Sequence, residues 1–183
     1  MLETDRLILR QWSDNDLAPF SEINRNKEVM EHFPSILTHE ETVKFYNRTV
    51  SEFSEFGIGL YALELKSDGK FIGYTGFHHF DFDAEFSPGI EIGWRLDSRY
   101  WNHGYATEAA KACLDYARIN HLFNEIYSFT TVGNHRSERV MQKIGMSRVC
   151  FFTHPSLPEG HKLKPHVLYK LELCPTYQLK AEH

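Results

Sequence analysis

The sequence predicts an α/β protein of the mixed α+β type, with helices on both faces of one central sheet. Three observations lead to this class. Strand-like segments come first as a block and then alternate with helical segments. The segment "IEIGWRL" has an apolar period of two, whereas the segment that begins near Gly104 has the helical period. With 183 residues, 42% of them hydrophobic, the chain fits one well-filled domain spanning 1–183.

The first half of the chain predicts a strand, two helices and a hairpin. The polar "SDND" after "RLILRQW" is a typical helix start. The second helix begins at "THEE", which has the capping-box form. Asp68-Gly69 in "SDGK" supplies the positive φ of a tight hairpin turn. The predicted bounds are 6–12 for the strand, 15–25 and 38–53 for the helices, and 56–66 and 71–80 for the hairpin.

The second half predicts strands that alternate with two helices. In "IEIGWRL" the residues Glu91, Gly93 and Arg95 share the face opposite the apolar one. The helix from about Gly104 carries a stripe of small and apolar residues, which lets it lie close on a sheet. The remaining bounds are 90–96, 125–132, 147–153 and 166–173 for strands, and 134–145 for a helix capped by Asn134 and stopped by Gly145.

Composition excludes several classes of function. A net charge of −5 argues against general binding to nucleic acid or to anionic membranes. No apolar run reaches the ~20 residues of a membrane span, and charges interrupt the apolar N-terminus, which predicts neither a signal peptide nor an anchor. Cys113, Cys150 and Cys174 are widely spaced, which predicts a reduced, cytoplasmic protein. No helix-spaced HxxxH or Cys/His group predicts a metal site.

The stretch "YWNHGYATEA", 100–109, connects a strand to the start of a helix. The first amides of a helix lack internal partners and carry partial positive charge, so they can bind a phosphate. Gly104 and Ala106 would leave room for its approach. The alternative is an ordinary turn into a helix. The pattern is neither GxGxxG nor GxxxxGK[ST], so a dinucleotide fold and a P-loop are not supported.

Three segments, "ETDRLILRQW", "EIGWRLDSRYWNHGYATEA" and "NHRSERVMQKIGM", resemble the GNAT N-acetyltransferase superfamily. They are most similar to its RimJ/RimL-like branch, which acetylates protein N-terminal amines and assorted small amines. The resemblance implies one GNAT domain over 1–183, whose mostly antiparallel sheet is splayed into a V. It implies acetyl-CoA as co-substrate, no metal, and direct attack by an amine acceptor in a ternary complex. Members of the branch often form homodimers.

The resemblance also implies which residues hold acetyl-CoA. The backbone of Trp94, Arg95 and Leu96 would hold the pantetheine arm, and Asn134 would hydrogen-bond to it. Ser137 matches a position near the thioester sulfur. The pyrophosphate would bind the amides of Trp101, Asn102, His103, Gly104, Tyr105, Ala106 and Thr107.

This chain departs from the "WGKGYA" typical of the branch. Asn102 replaces a glycine, and asparagine tolerates the left-handed backbone that the glycine would adopt. His103 replaces a lysine, which would weaken the hold on phosphate and make it depend on pH. Met141 occupies the position where many GNAT enzymes carry a tyrosine acid.

Four side chains are candidates for catalysis or for binding the acceptor. We expect Glu91 to accept the proton of the amine, directly or through water; the alternative is a solvated or salt-bridged glutamate on an open sheet face. Ser137 is expected on the sulfur side. His78 and His79 point to opposite faces of their strand, so one of the two is expected to reach the acceptor. The loop 153–166 is expected to form an acceptor-side wall, or else a plain connection.

A site without a strong base favours amines of low pKa, such as protein α-amines at about 7.7–8.0 over lysine at about 10.4. The resemblance makes an acetyl-CoA-dependent N-acetyltransferase acting on a primary amine the leading hypothesis. A non-catalytic CoA-binding or regulatory module with the same fold is the alternative, and Met141 and the altered loop keep it open. A scaffold protein that binds no acyl donor is a third.

Overall fold

The computed structural model of the protein describes residues 1–173, which form eight strands and four α-helices. The strands join in one sheet of order β1-β2-β3-β4-β5-β6-β8-β7. The strands are β1 Leu2–Glu3, β2 Leu7–Arg10, β3 Leu60–Leu65, β4 Phe71–Phe80, β5 Gly89–Leu96, β6 Glu125–Thr131, β7 Ser147–Thr153 and β8 Pro165–Glu172. The helices are α1 Leu17–Arg25, α2 His39–Phe56, α3 Tyr105–Ile119 and α4 His135–Lys143. This arrangement confirms the predicted mixed class.

The sheet is splayed at the junction of β5 and β6. Every other neighbouring pair is antiparallel, and β4 pairs with β5 along its length from Gly73 to Phe80. By contrast, β5 and β6 run parallel and join only at Glu91 and Tyr127. Beyond that point the two strands diverge and leave a wedge between their C-terminal ends. The predicted V-shaped sheet is thus confirmed.

Helices cover both faces of the sheet. The small-residue stripe of α3 is buried against Ile92 and Leu96 of β5. The stripe consists of Ala109, Ala110, Cys113, Leu114 and Ala117. On the other face, Phe20 and Ile23 of α1 pack with Trp12, Leu60 and Tyr74. Burial raises the pKa of the Cys113 thiol far above its ordinary range, so this cysteine is part of the core.

Several element bounds differ from the predictions for identifiable reasons. The hairpin strand predicted from 56 begins at Leu60, because α2 continues to Phe56 and ends on Gly57 in the left-handed conformation. The strand predicted over 6–12 ends at Arg10, where Arg10 forms an ion pair with Asp16 and the chain turns into α1. Strand β1 was not predicted. Cys174 lies outside the described residues.

Other predictions agree closely with the structure. The bounds predicted for β4 and β7 are those observed. Thr38 and Glu41 form the expected reciprocal cap of α2. Gly145 follows α4 with a φ of 90°. Within residues 1–173, no helix combines the length and apolar character required to cross a membrane.

Candidate functional site

A cavity of about 660 Å³ lies at the wedge between β5 and β6. Its wall includes the C-terminal parts of both strands, the turn before α3, the first turns of α4 and the loop that precedes β8. The structure brings most of the sequence-predicted site residues together here: His78, Glu91, Trp94, Arg95, Leu96, Trp101, Asn102, Gly104, Tyr105, Ala106, Thr107, Asn134 and Ser137. His79 and His103 are not among its lining residues.

The turn before α3 presents free backbone amides to this cavity. Asn102 and Gly104 adopt left-handed φ values of 63° and 83°, which reverse the chain before the helix. Gly104 is the N-cap, and the first helical hydrogen bond runs from the Glu108 amide to its carbonyl. The amides of Tyr105, Ala106 and Thr107 therefore have no intrahelical acceptor. The geometry is that of an anion site at a helix N-terminus.

His103 points away from that site. Its Nδ1 lies 2.7 Å from the carbonyl oxygen of Trp101, and its ring stacks on Tyr105 at 5.7 Å between centroids. The side chain is exposed. Asn102 has the left-handed φ that the sequence predicts for it, while the imidazole of His103 is exposed.

The backbone of β5 borders the wedge on one side. Beyond the Glu91–Tyr127 pair, β6 offers no strand partner to this edge. The Leu96 carbonyl accepts a hydrogen bond from Trp101 Nε1 at 2.9 Å. Trp94 and Arg95 therefore provide the part of the edge that a ligand could pair with, as an added strand pairs with a sheet.

Glu91 lies at the apex of the wedge, where β5 meets β4 and β6. Its register partners are His78 on β4 and Tyr127 on β6. Burial raises the pKa of Glu91 to about 8, because the carboxylate form loses its water there. A carboxyl group with such a pKa can exchange protons near neutral pH, which suits a general base or acid.

The two candidate histidines are separated by the sheet, as their alternation requires. His78 lines the cavity, and its Nδ1 lies 3.3 Å from a carboxylate oxygen of Glu52 on α2. His79 is exposed on the opposite face and packs against the ring of Phe56. Of the pair, only His78 can contact a ligand in this cavity.

Asn134 and Ser137 lie at the start of α4. The Oδ1 of Asn134 accepts from the Ser137 amide at 3.3 Å, which is the predicted helix cap. Its Nδ2 donates to Thr130 Oγ1 at 2.8 Å. Both ends of this amide therefore already hold a protein partner, while the half-buried Ser137 faces the cavity.

A basic face of α4 was missed by the sequence analysis. Arg136, Arg139 and Lys143 all line the cavity. Their spacing of three and four residues places them on one side of a helix, a signal that the sequence does contain. The guanidinium of Arg136 lies 4.4 Å above the ring of Trp101, which ties α4 to the turn before α3. These cations complement an anionic ligand at the free amides.

Glu108 stabilises the fold around the site. It accepts hydrogen bonds from the Thr4 hydroxyl at 2.6 Å and from Arg6 Nε at 2.7 Å. Burial raises the pKa of Glu108, but these hydrogen bonds outweigh burial and the net pKa is lowered. The carboxylate thus fastens the N-terminal strands to the first turn of α3.

The loop before β8 forms one wall of the cavity, as one of the two sequence-based readings expects. It contributes His154, Ser156, Leu157 and Leu163, and His166 at the start of β8 adjoins them. The imidazoles of His154 and His166 lie 4.9 Å apart, and burial lowers the pKa of both. Both rings are therefore mainly neutral near pH 7. Within residues 1–173, no cluster of three His, Cys, Asp or Glu side chains could hold a metal ion.

The fold and the wedge cavity define the class of the protein. The model of the acetyltransferase (GNAT) domain family matches residues 6–147. The chain therefore belongs to the GNAT acetyltransferase family. Two Bacillus subtilis proteins are similar along most of their lengths. The uncharacterized protein YkkB is 34% identical over 146 residues, covering 79% of this chain and 84% of YkkB. The uncharacterized N-acetyltransferase YnaD is 30% identical over 162 residues, covering 88% and 90%.

Solved structures share the fold along nearly the whole chain. A GNAT-family acetyltransferase from Bacillus anthracis is 28% identical, with a TM-score of 0.77 over 94% of this chain and 98% of that one. RimL, a ribosomal L7/L12 alpha-N-protein acetyltransferase solved in complex with coenzyme A, has a TM-score of 0.75 over 92% and 95%. At 14% identity, RimL shows likeness of fold alone.

Proposed function

We propose that this GNAT acetyltransferase is an acetyl-CoA-dependent N-acetyltransferase of the RimJ/RimL-like kind. Residues 1–183 would act as a single domain that acetylates a primary amine, either a protein N-terminal α-amine or the amine of a small molecule. One observation carries the proposal: a continuous cavity joins the free amides before α3 to the half-buried Glu91 at the apex of the wedge.

The residues present fit acetyl-CoA as co-substrate. The amides of 104–107 would bind its pyrophosphate, and the basic face of α4 would add positive charge. The free edge at Trp94 and Arg95 would hold the pantetheine arm. RimL, which shares the fold, was solved with coenzyme A. Because His103 points outward and both ends of the Asn134 amide have protein partners, we assign less of the donor contact to these two side chains.

The chemistry assigned to this chain is proton transfer and positioning. When bound, acetyl-CoA supplies an activated acetyl thioester. The neutral amine forms the new N–C bond as the C–S bond breaks, and holding the reactants together can supply about 7–11 kcal/mol of the barrier. Glu91 accepts the amine proton, directly or through water. Ser137, which also lines the cavity, would donate a hydrogen bond to the departing thiolate, a role that the thioether of Met141 cannot fill.

Titration of acetyl-CoA into the protein, followed by an amine screen that detects released CoA, tests the proposal. Binding with turnover of at least one amine is the expected result. Binding without turnover of any amine would favour the alternative, a non-catalytic CoA-binding module. The observation that favours this alternative is Met141, which occupies the position where many GNAT enzymes carry a tyrosine acid. Absence of binding would exclude both.

Two further properties remain predictions of this proposal. A cytoplasmic location is expected, and cell fractionation tests it. A homodimer is expected, and light scattering of the purified protein tests it.

A further inference from the structure

The side chain of Arg95 is not explained by the donor site. It is only 7% exposed and lies on the face of β5 that carries Glu91, opposite the α3 core. Its guanidinium carbon lies 4.1 Å from the ring centre of Phe33, and 5.6 Å from those of Phe45 and Tyr74. All three rings line the cavity. The Arg95 cation therefore lies among aromatic side chains, on the side of the cavity that also holds Glu91.

Among residues 1–173, this cation has no counter-ion. Its Nη1 donates to Asn24 Oδ1 at 2.6 Å, but Nε is enclosed without a hydrogen-bond partner among residues 1–173. No carboxylate of that part of the chain forms an ion pair with it, and the nearby Arg48 guanidinium adds repulsion. Burial lowers the pKa of Arg95. Contacts with aromatic rings offset only part of the cost of burying an unpaired charge.

The floor of the cavity is open between Arg95 and Glu91. The two residues share one face of β5 and are four positions apart, so their Cα atoms are separated by about 13 Å. Gly93 lies between them, and a Cβ added there would meet only Glu91 Oε1, at 3.9 Å. A ligand lying along this floor would place one end at the carboxyl group and the other at the guanidinium.

We propose that Arg95 binds a carboxylate of the acceptor, so that the substrate class is amines that also carry a carboxylate. The inference rests on the proposed function, since Glu91 would receive the amine end of the same molecule. A carboxylate supplies the missing counter-charge and forms strong, charge-assisted hydrogen bonds with a guanidinium. The open floor over Gly93 sets the separation, so the carboxylate is expected several bonds from the amine.

Matched acceptors test this substrate class with the full-length native protein. Ala-Glu-amide and Ala-Gln-amide share an α-amine and differ only in one charge, as do Ala-Asp-amide and Ala-Asn-amide. From the strength of charged hydrogen bonds, kcat/KM for the acidic member should be about 10- to 100-fold higher. Equal kcat/KM within both pairs would overturn the proposal.

Two variants locate the preference. Arg95→Gln should abolish it, mainly through KM for the acidic peptide. Arg48→Gln removes the same charge from the same cavity, but that side chain is 56% exposed and lies 3.8 Å from a Glu52 oxygen. It should change the preference by less than about threefold. An unchanged preference in Arg95→Gln would contradict the assignment.

Binding separates failure of this inference from failure of the proposed function. If no amine is turned over, the proposed function fails, and calorimetric titration of the same dipeptide amides decides the inference. Binding of the acidic member at least about tenfold more tightly by native protein supports the Arg95 site. Equal binding, or binding of neither, overturns it. This comparison requires no variant, so poor folding of Arg95→Gln does not affect it.

Discussion

Replacing Glu91 with glutamine keeps the size of the side chain but removes its capacity to accept a proton. Because general-base catalysis contributes about 10²–10⁴-fold, kcat/KM should fall by that factor above pH 8. Native kcat/KM should increase as the pH rises through about 8, since only ionised Glu91 accepts the proton and burial raises its pKa to about 8. Roughly a tenth of this carboxyl group is ionised at pH 7. Deprotonation of an α-amine with a pKa of about 7.7–8.0 raises the rate of both proteins over the same range, so the variant should lack the Glu91 rise when kcat/KM is expressed per neutral amine.

The same pKa predicts that Glu91→Gln stabilises the protein at alkaline pH. The ordinary pKa is 4.5, so between 4.5 and about 8 the folded state retains a proton that the unfolded chain has lost. Native stability therefore falls as the pH rises across that window, and the loss is complete above it. The full shift corresponds to about 5 kcal/mol at 1.36 kcal/mol per unit. Water in the cavity screens the charge, so we expect about 1–3 kcal/mol.

Two measurements check this pair of effects. The first is kcat/KM between pH 6 and pH 9, followed by CoA release. The second is urea unfolding of both proteins at pH 5 and pH 9. Glu125→Gln is a matched control, because Glu125 is an exposed strand residue paired with Lys170, and its loss should neither slow catalysis nor add stability at pH 9. Native kcat/KM in Glu91→Gln at pH 8.5 would refute the base assignment. An equal stability difference at both pH values would refute the pKa argument.

Three other changes have defined outcomes. Gly104→Trp should abolish binding of acetyl-CoA, measured by calorimetry, because the indole would cover the free amides. The control is Gly57→Trp, which has a similar φ of 71° and lies in open space, and it should retain binding. Equal loss of binding in both variants would indicate unfolding instead. Arg139→Gln should raise KM for acetyl-CoA by about two- to fivefold without changing kcat, because this cation is exposed. Glu108→Gln should lower the free energy of unfolding at pH 7 by about 1–3 kcal/mol, because Thr4 and Arg6 lose a charged hydrogen-bond acceptor. Urea unfolding measures this change. Unchanged stability in the variant would contradict the stabilising role of Glu108.

Local signals predicted most of the fold. The Asp68-Gly69 turn and the alternation around it fix β4, and the small-residue stripe fixes α3. The start of β3 was misplaced because the glycine that ends α2, Gly57, lies inside an apolar segment that also reads as strand. Strand β1 is two residues long, which is too short for any period to appear.

The site was harder to predict where it depends on distant parts of the chain. The free amides before α3 follow from one continuous stretch, so the sequence indicates them. Alternation separates His78 from His79, but only the assembled fold shows that His78 is the one that lines the cavity. The surroundings of Arg95 come from Phe33, Phe45 and Tyr74 on three other segments, and no local pattern reports them.

The two parts of the sheet are joined by a single register pair, Glu91 and Tyr127, so the sheet is less rigid there than between its other strands. Five strands lie on one side of this pair and three on the other. An acyl donor lying in the wedge would contact both parts of the sheet and connect them where β5 and β6 are not paired. Occupancy should therefore stiffen the sheet as a whole, and amide hydrogen exchange should slow not only at Trp94 but also across the wedge, at Phe129 and Thr130.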